Sequence, residues 1–249
     1  MGKVISVMNF KGGTGKTTSV INIGTSLALK GHRTLLIDLD AQSNLSEGLN
    51  VFDPEKTLYT AFKQKTEPIP YQLKDNLYII PSNLDSVSFD FDIQRQDYKE
   101  KVFYNMLSKI IEDFDYILLD LPPSLNSITT NALVISDKII IPLDPEFFAY
   151  RGLDKMLDII KLVKKNSNQN LDILGVLITK YLPNRNLSSE IFTAVREHFE
   201  GKLFKTYIRS NIKLGESQAN GISIFDLDAS CNGSIDYNNL TDEILELIN

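Results

Sequence analysis

Short continuous apolar runs alternate along this chain with segments in which apolar residues recur every three or four positions. Val4-Ile5-Ser6-Val7-Met8 is the first run, and after a glycine-rich interval Val20, Ile23 and Leu27 take up helical spacing. The pattern predicts a strand, a loop and a helix over about residues 16–30 that ends near Gly31. Arg33–Asp38, Leu77–Ile80, Tyr116–Asp120, Lys138–Pro142 and Leu174–Lys180 read as further buried strands, the second of them stopped by Pro81. Between Tyr98 and Phe114, the residues Val102, Phe103, Met106, Leu107, Ile110 and Ile111 form the stripe of an amphipathic helix. Asn131–Ile135 continues another helix, Leu153, Leu157, Ile160 and Val163 line a further one, and an Asn232-Gly233 turn precedes a C-terminal helix ending in Leu240, Ile244, Leu247 and Ile248. Residues 50–76 carry less signal: a turn at Asp53–Lys56 enters a short helix with Leu58, Ala61 and Phe62, and a polar stretch leads into Pro68 and Pro70. Phe89 and Phe91 alternate with Asp90 and Asp92, so Asp85–Asp97 is expected to be a surface excursion. Strands alternating with helices imply an α/β fold, a single doubly wound, mostly parallel sheet with helices on both faces, in one domain spanning residues 1–249.

Composition narrows the setting. A chain of 249 residues with 43% apolar content is long enough for one substantial core and is neither disordered nor fibrous in character. The single cysteine, Cys231, excludes an internal disulfide framework and any cysteine-clustered metal or iron–sulfur site within one chain. It reads as structural or incidental, and the reducing cytoplasm is the expected compartment. No apolar run is long enough to cross a bilayer, and the N-terminus lacks the apolar core of a signal peptide. Met1–Ser6 fits the loose myristoylation pattern, but Gly2 leads straight into the first strand. The net charge of −6 hides an asymmetry: residues 161–213 hold ten Lys/Arg against four acids, a balance of +6, so the remainder sums to −12. A basic third can meet a polyanion locally while the whole stays acidic, or it can be a solvated lysine-decorated face.

The chemistry is concentrated ten residues in, at Lys11-Gly12-Gly13-Thr14-Gly15-Lys16-Thr17-Thr18. Glycines after a strand let the backbone curl so that N–H groups point at phosphate oxygens, and the helix that follows adds its positive N-terminal end. Lys16 is then placed to neutralise the β- and γ-phosphates of ATP, and the Thr17 hydroxyl to coordinate Mg²⁺. Where the general phosphate-loop pattern has its first glycine this chain has Phe10, and a second lysine, Lys11, follows it.

That variant resembles the deviant Walker A motif of the ParA/MinD family of dimerising P-loop ATPases, ParA/Soj proteins included, in which the first lysine reaches the partner subunit's nucleotide. The resemblance covers nearly the whole chain, and what it implies can be followed residue by residue. Asp38-Leu39-Asp40-Ala41-Gln42-Ser43-Asn44 looks like the family's Asp-x-Asp-x-Gln segment, with Ala41 in place of a proline. Asp40 would orient or activate the attacking water and Asp38 would support the magnesium shell; acids closing a strand can also merely cap the next helix. Tyr116–Asp120 has the form of a Walker B strand that holds one carboxylate near the metal, giving Thr17, Asp38, Asp40 and Asp120 on the metal side. Lys11, Lys16 and Asp40 form the catalytic set. Leu121-Pro122-Pro123-Ser124 matches a stiff turn that responds to the γ-phosphate, Ser82-Asn83 stands at the family's Pro-Ala turn, and Asp144–Leu153 resembles a segment near the dimer face. Thr179 and Lys180 are weak candidates for the adenine side.

In the last third, Phe204–Ser217 partly matches a family segment, with Arg209 displaced by one position and Lys213 aligned with a basic residue used for non-specific DNA binding. Lys202, Lys205, Arg209 and Lys213 are accordingly the DNA-binding candidates. The C-terminal helix carries Asp242, Glu243 and Glu246 on its polar face, which anionic lipid would repel, so no membrane partner is expected. The implied protein is a Mg²⁺-dependent ATPase with slow turnover: a homodimer when ATP-bound, bound to non-specific DNA, cytoplasmic and nucleoid-associated. A ParB-like centromere-binding protein would stimulate it. With the first strand starting near residue 3, no operator-binding extension is expected. The alternatives are a ParA-like ATPase positioning a protein cargo or mobile element, a MinD-like membrane-cycling ATPase, and a metabolic ligase or reductase. The last needs a substrate pocket or bridging cysteines.

Overall fold

In the computed structural model, residues 2–145, 153–182, 195, 199 and 201–248 are described. Strand β1 (Lys3–Val7) leads through the glycine-rich loop into helix α1 (Lys16–Leu29), and β2 (Thr34–Asp38) follows. A short α2 (Asn44–Glu47) precedes α3 (Leu58–Gln64), whose first turn is closed by reciprocal Thr57–Thr60 hydrogen bonds. Then come β3 (Tyr71–Lys74), β4 (Leu77–Ile80), α4 (Phe89–Gln94), α5 (Val102–Ile111), β5 (Tyr116–Asp120), α6 (Ser127–Ile135) and β6 (Lys138–Leu143). The chain continues with α7 (Leu153–Asn166), β7 (Asp172–Ile178), α8 (Ile212–Ala219), α9 (Ile224–Leu227) and α10 (Asn232–Ile248).

Among the described residues seven strands lie in the order β3-β4-β2-β5-β1-β6-β7, and of these only the β3–β4 pair is antiparallel. The central strands are mostly apolar runs because both of their faces are covered. In β5, Ile117 and Leu119 face the core under α4, α5 and α6, while Leu118 faces the core under α1 and α10. Leu36 and Ile140 join the second core and Leu35, Ile37, Ile139 and Ile141 the first, so strand alternation sorts a continuous apolar run into two layers. The β1–β5 and β2–β5 registers align Val7, Asp38 and Asp120 along one edge of the sheet. Ligands gather at that carboxyl edge in an open α/β sheet. Beyond β7, the segment 202–210 runs beside the strand through Val176 N–H to Lys202 O (2.7 Å) and Ile208 N–H to Ile178 O (2.8 Å), covering an otherwise open edge.

Three readings of the sequence need correction. Asp85–Asp97 lies largely at the surface but is helical: a 3₁₀ turn (Leu84–Ser88) runs into α4, which buries Phe89 and Ile93 on one side and leaves Phe91 exposed. Tyr71–Lys74 is an edge strand in a region read as turn and polar coil, and Asn232-Gly233 belongs to the first turn of α10. The dimer-face expectation at Asp144–Leu153 falls on 146–152, outside the described residues. No described helix is long and apolar enough to cross a membrane.

Candidate functional site

The loop after β1 is shaped by its glycines and pinned by two side chains from elsewhere. Gly13 (φ +72°) and Gly15 (φ +87°) occupy the left-handed region, which L side chains adopt at a cost. Buried Asn9 donates from Nδ2 to Pro142 O (2.7 Å) and accepts the Lys11 N–H (2.9 Å), fixing the loop's entry. Thr179 Oγ1 donates to Thr14 O (2.9 Å), tying the loop to the end of β7. Lys16 lies buried in the first turn of α1 with Nζ reaching back to Lys11 O (3.5 Å), whereas Lys11 is exposed. Burial lowers the Lys16 pKa, and the carboxylates of Asp120 and Asp40 oppose that shift.

Across the loop stand three acids in three different settings. Asp120 accepts the Thr17 hydroxyl on Oδ2 (2.7 Å), while its Oδ1 is buried without a hydrogen-bond partner. Burial first, and the neighbouring Asp38 second, push Asp120 up to about 8. Asp38 is equally buried and is pushed up to about 6 by desolvation, even though it accepts the Ser46 N–H (2.9 Å) and hydroxyl (2.7 Å) on Oδ2 and the Asp40 N–H (3.1 Å) on Oδ1. Asp40 is half-buried, faces the cleft and accepts the Gln42 N–H (3.0 Å).

These settings decide which groups suit Mg²⁺. An orphaned buried carboxylate oxygen beside a hydroxyl is what a divalent ion satisfies, so Thr17 and Asp120 fit it. Both oxygens of Asp38 are already engaged, which places it behind the site, clamping the Asp40 backbone. Among the described residues no group of three His, Cys, Asp or Glu is arranged to hold a metal alone. The predicted acids therefore converge without forming one ligand cluster.

Two clefts meet at the loop. The larger, about 840 Å³, is lined by the loop glycines, Lys16, Thr17, Asp40 and the Pro122–Ser124 turn. The smaller, about 320 Å³, is lined by Ile208, Ile212, Leu214, Tyr237 and Thr179. Lys180 (φ +52°) stands between them, ion-paired with Asp144 at 2.9 Å.

The basic candidates do not converge in the same way. Lys202 pairs with Asp172 (2.6 Å) at the start of β7, Arg209 is held by Asp236 (2.6 Å) near its end, and Lys213 pairs with Asp228 (2.5 Å). Lys205 is exposed. Because 202–210 runs beside β7 and Lys213 stands in the first turn of α8, these charges are spread over that segment and the helix after it. Ser46, Asn9 and Gln218 are site residues that the sequence reading did not single out; only the strand-terminal place of polar Asn9 hinted at a role.

The AAA domain family matches residues 2–173. The chromosome-partitioning ATPase Soj of Treponema pallidum is 36% identical over 253 aligned residues, which cover 98% of each chain. Among solved structures, cobyrinic acid a,c-diamide synthase from Mycobacterium smegmatis with bound ADP and magnesium is similar with a TM-score of 0.87 at 28% identity, over 99% of this chain and 95% of that one. A plasmid partition protein from Borrelia burgdorferi is similar with a TM-score of 0.74 at 26% identity, over 99% and 97%.

Proposed function

Because the chain belongs to the ParA/Soj/MinD family of P-loop ATPases with a deviant Walker A motif, we propose that two ATP-loaded copies close on each other through the face carrying Lys11 and Gly12, and that this closure positions a cargo. ATP and Mg²⁺ are its cofactors and ATP hydrolysis is its reaction. It works with another protein or with DNA in positioning or partition.

The observation that carries the dimer reading is Gly12. It is exposed, its φ lies outside the left-handed region, and a Cβ placed on it would meet no atom within 4 Å. Nothing within its own subunit calls for glycine there, whereas the close approach of a second copy does. In that arrangement the loop N–H groups and Lys16 hold the phosphates, Lys11 carries charge across to the opposite nucleotide, and Asp40 orients the attacking water. Thr17 and Asp120 would hold the Mg²⁺, which supplies charge neutralisation at the β- and γ-phosphates. Loss of the γ-phosphate removes part of the anionic bridge, so hydrolysis becomes the release signal.

Two cargo readings have separate support. The names of the Treponema and Borrelia relatives favour chromosome or plasmid partition, for which we propose a ParB-like partner and nucleoid association. The carboxylates that already engage Lys202, Arg209 and Lys213 favour a protein cargo or a mobile element. A DNA-binding titration with ATP, ADP or no nucleotide, read with molar mass by light scattering, tests both. Dimerisation with salt-dependent DNA binding only in ATP supports partition. An ATP-dependent dimer without DNA affinity supports the protein cargo, and a monomer in every nucleotide state rejects the dimer.

A further inference from the structure

The two clefts share a waist formed by Gly15, Thr18, Lys180 and Gln218. On the ATP-site reading above, the phosphates occupy the polar cleft beside Lys16, and the flat apolar base fits the smaller cleft against Ile208, Ile212, Leu214 and Tyr237. A nucleotide placed so must pass its sugar through the waist. Gly15 has no side chain, Lys180 is paired with Asp144, and the Thr18 hydroxyl donates to Gln218 Oε1 (3.0 Å). That bond uses the acceptor half of the Gln218 carboxamide and orients the donor half. Nε2 lies toward Gly48, a wall of the larger cleft, 3.8 Å from where a Cβ on that glycine would stand. Gln218 is itself held in place, because its neighbour Ser217 is fully buried and donates to Leu214 O (3.0 Å) within α8.

We propose that Gln218 donates from Nε2 to a ribose hydroxyl of the bound nucleotide, so that a residue of α8, 200 positions from the phosphate loop, makes this ATPase prefer ribonucleotides over deoxyribonucleotides. No bond is made or broken; the contact is a neutral hydrogen bond in a half-buried setting. It also couples α8, which carries Lys213 in its first turn, to the occupancy of the loop on α1.

The test is calorimetric titration of ATP, 2′-deoxy-ATP and 3′-deoxy-ATP, each with Mg²⁺, into the wild type, Gln218→Ala, Gln218→Leu and Thr18→Val. The ratio of deoxy-nucleotide Kd to ATP Kd within one protein is independent of the fraction folded. One neutral hydrogen bond predicts a wild-type ratio of about two to ten for one of the two deoxy analogues; which analogue shows it identifies the hydroxyl. In both Gln218 variants that ratio should fall to about one, and in Thr18→Val, where the carboxamide is no longer oriented, it should fall part of the way. A wild-type ratio of one for both analogues, or Gln218 variants that keep the wild-type ratio, overturns the proposal while leaving the ATP site standing. Failure of the wild type to bind any of the three nucleotides overturns both.

Discussion

Asp120→Asn removes a carboxyl group that the nucleotide-free fold holds against its preference for water, and the pH dependence of stability measures that preference. Asp38 and Asp120 are register partners on adjacent strands and are 2% and 1% exposed. Burial raises Asp38 to about 6 and, with the charge of Asp38 second, Asp120 to about 8. An unfolded aspartate titrates near 3.9. Between that value and the folded one, the folded protein binds a proton that the unfolded chain has released, so stability falls as pH rises. The slope is about 1.4 kcal/mol per pH unit for each such group. Both acids contribute up to about pH 6, and Asp120 alone from there to about pH 8. An asparagine keeps an acceptor for the Thr17 hydroxyl and has no proton to gain. In urea unfolding without nucleotide or Mg²⁺ at pH 5.5, 6.5 and 7.5, the variant's stability relative to wild type should grow by about 1.4 kcal/mol per pH unit. Titrating groups that do not interact with Asp120 cancel in that difference. With Mg²⁺ and ATP present the order should reverse, because ligand stabilises only a fold that binds it. Parallel stability curves for the two proteins across this range would refute the account of a strained, desolvated carboxyl awaiting a cation.

Three further outcomes are expected. Lys11→Ala should bind ATP with near-normal affinity yet stay monomeric by light scattering; an ATP-dependent dimer would remove Lys11 from the cross-subunit role. Asp40→Ala should accumulate an ATP-bound dimer and lose about 100-fold or more of its phosphate release, so turnover within a few-fold of wild type would contradict its place at the water. Ser46→Ala deletes a fully buried hydroxyl that donates to Asp38 and accepts the Ser82 N–H (2.9 Å). It should lower the unfolding free energy by about 1–3 kcal/mol, and a change indistinguishable from zero in urea unfolding would mean that the network is dispensable.

Much of this protein is written in local pattern. The strand at Tyr116–Asp120, the amphipathic stripe of α5 and the glycine–lysine loop are legible because each is a property of a few consecutive residues: side-chain period, turn-forming glycines, and a lysine followed by threonine. The same local reading failed at Phe89, where alternation with aspartates suggested a two-residue period but a helix sets Phe89 and Ile93 on one buried side. Other features depend on contacts between distant segments. Asp38 and Asp120 each close an apolar run, yet only the in-register pairing of β2 with β5 brings their carboxyls together out of water and raises both pKa values. Lys202, Arg209 and Lys213 read as a basic stretch until the fold sets Asp172, Asp236 and Asp228 beside them. Ser46 and Gln218 acquired a role only when packing placed one behind the acids and the other against Thr18. Hydrophobic periodicity and turn chemistry act between near neighbours in the chain and so survive in one dimension. Desolvation, charge pairing and hydrogen-bond direction act through space, and for these residues the relevant space exists only once the sheet has assembled.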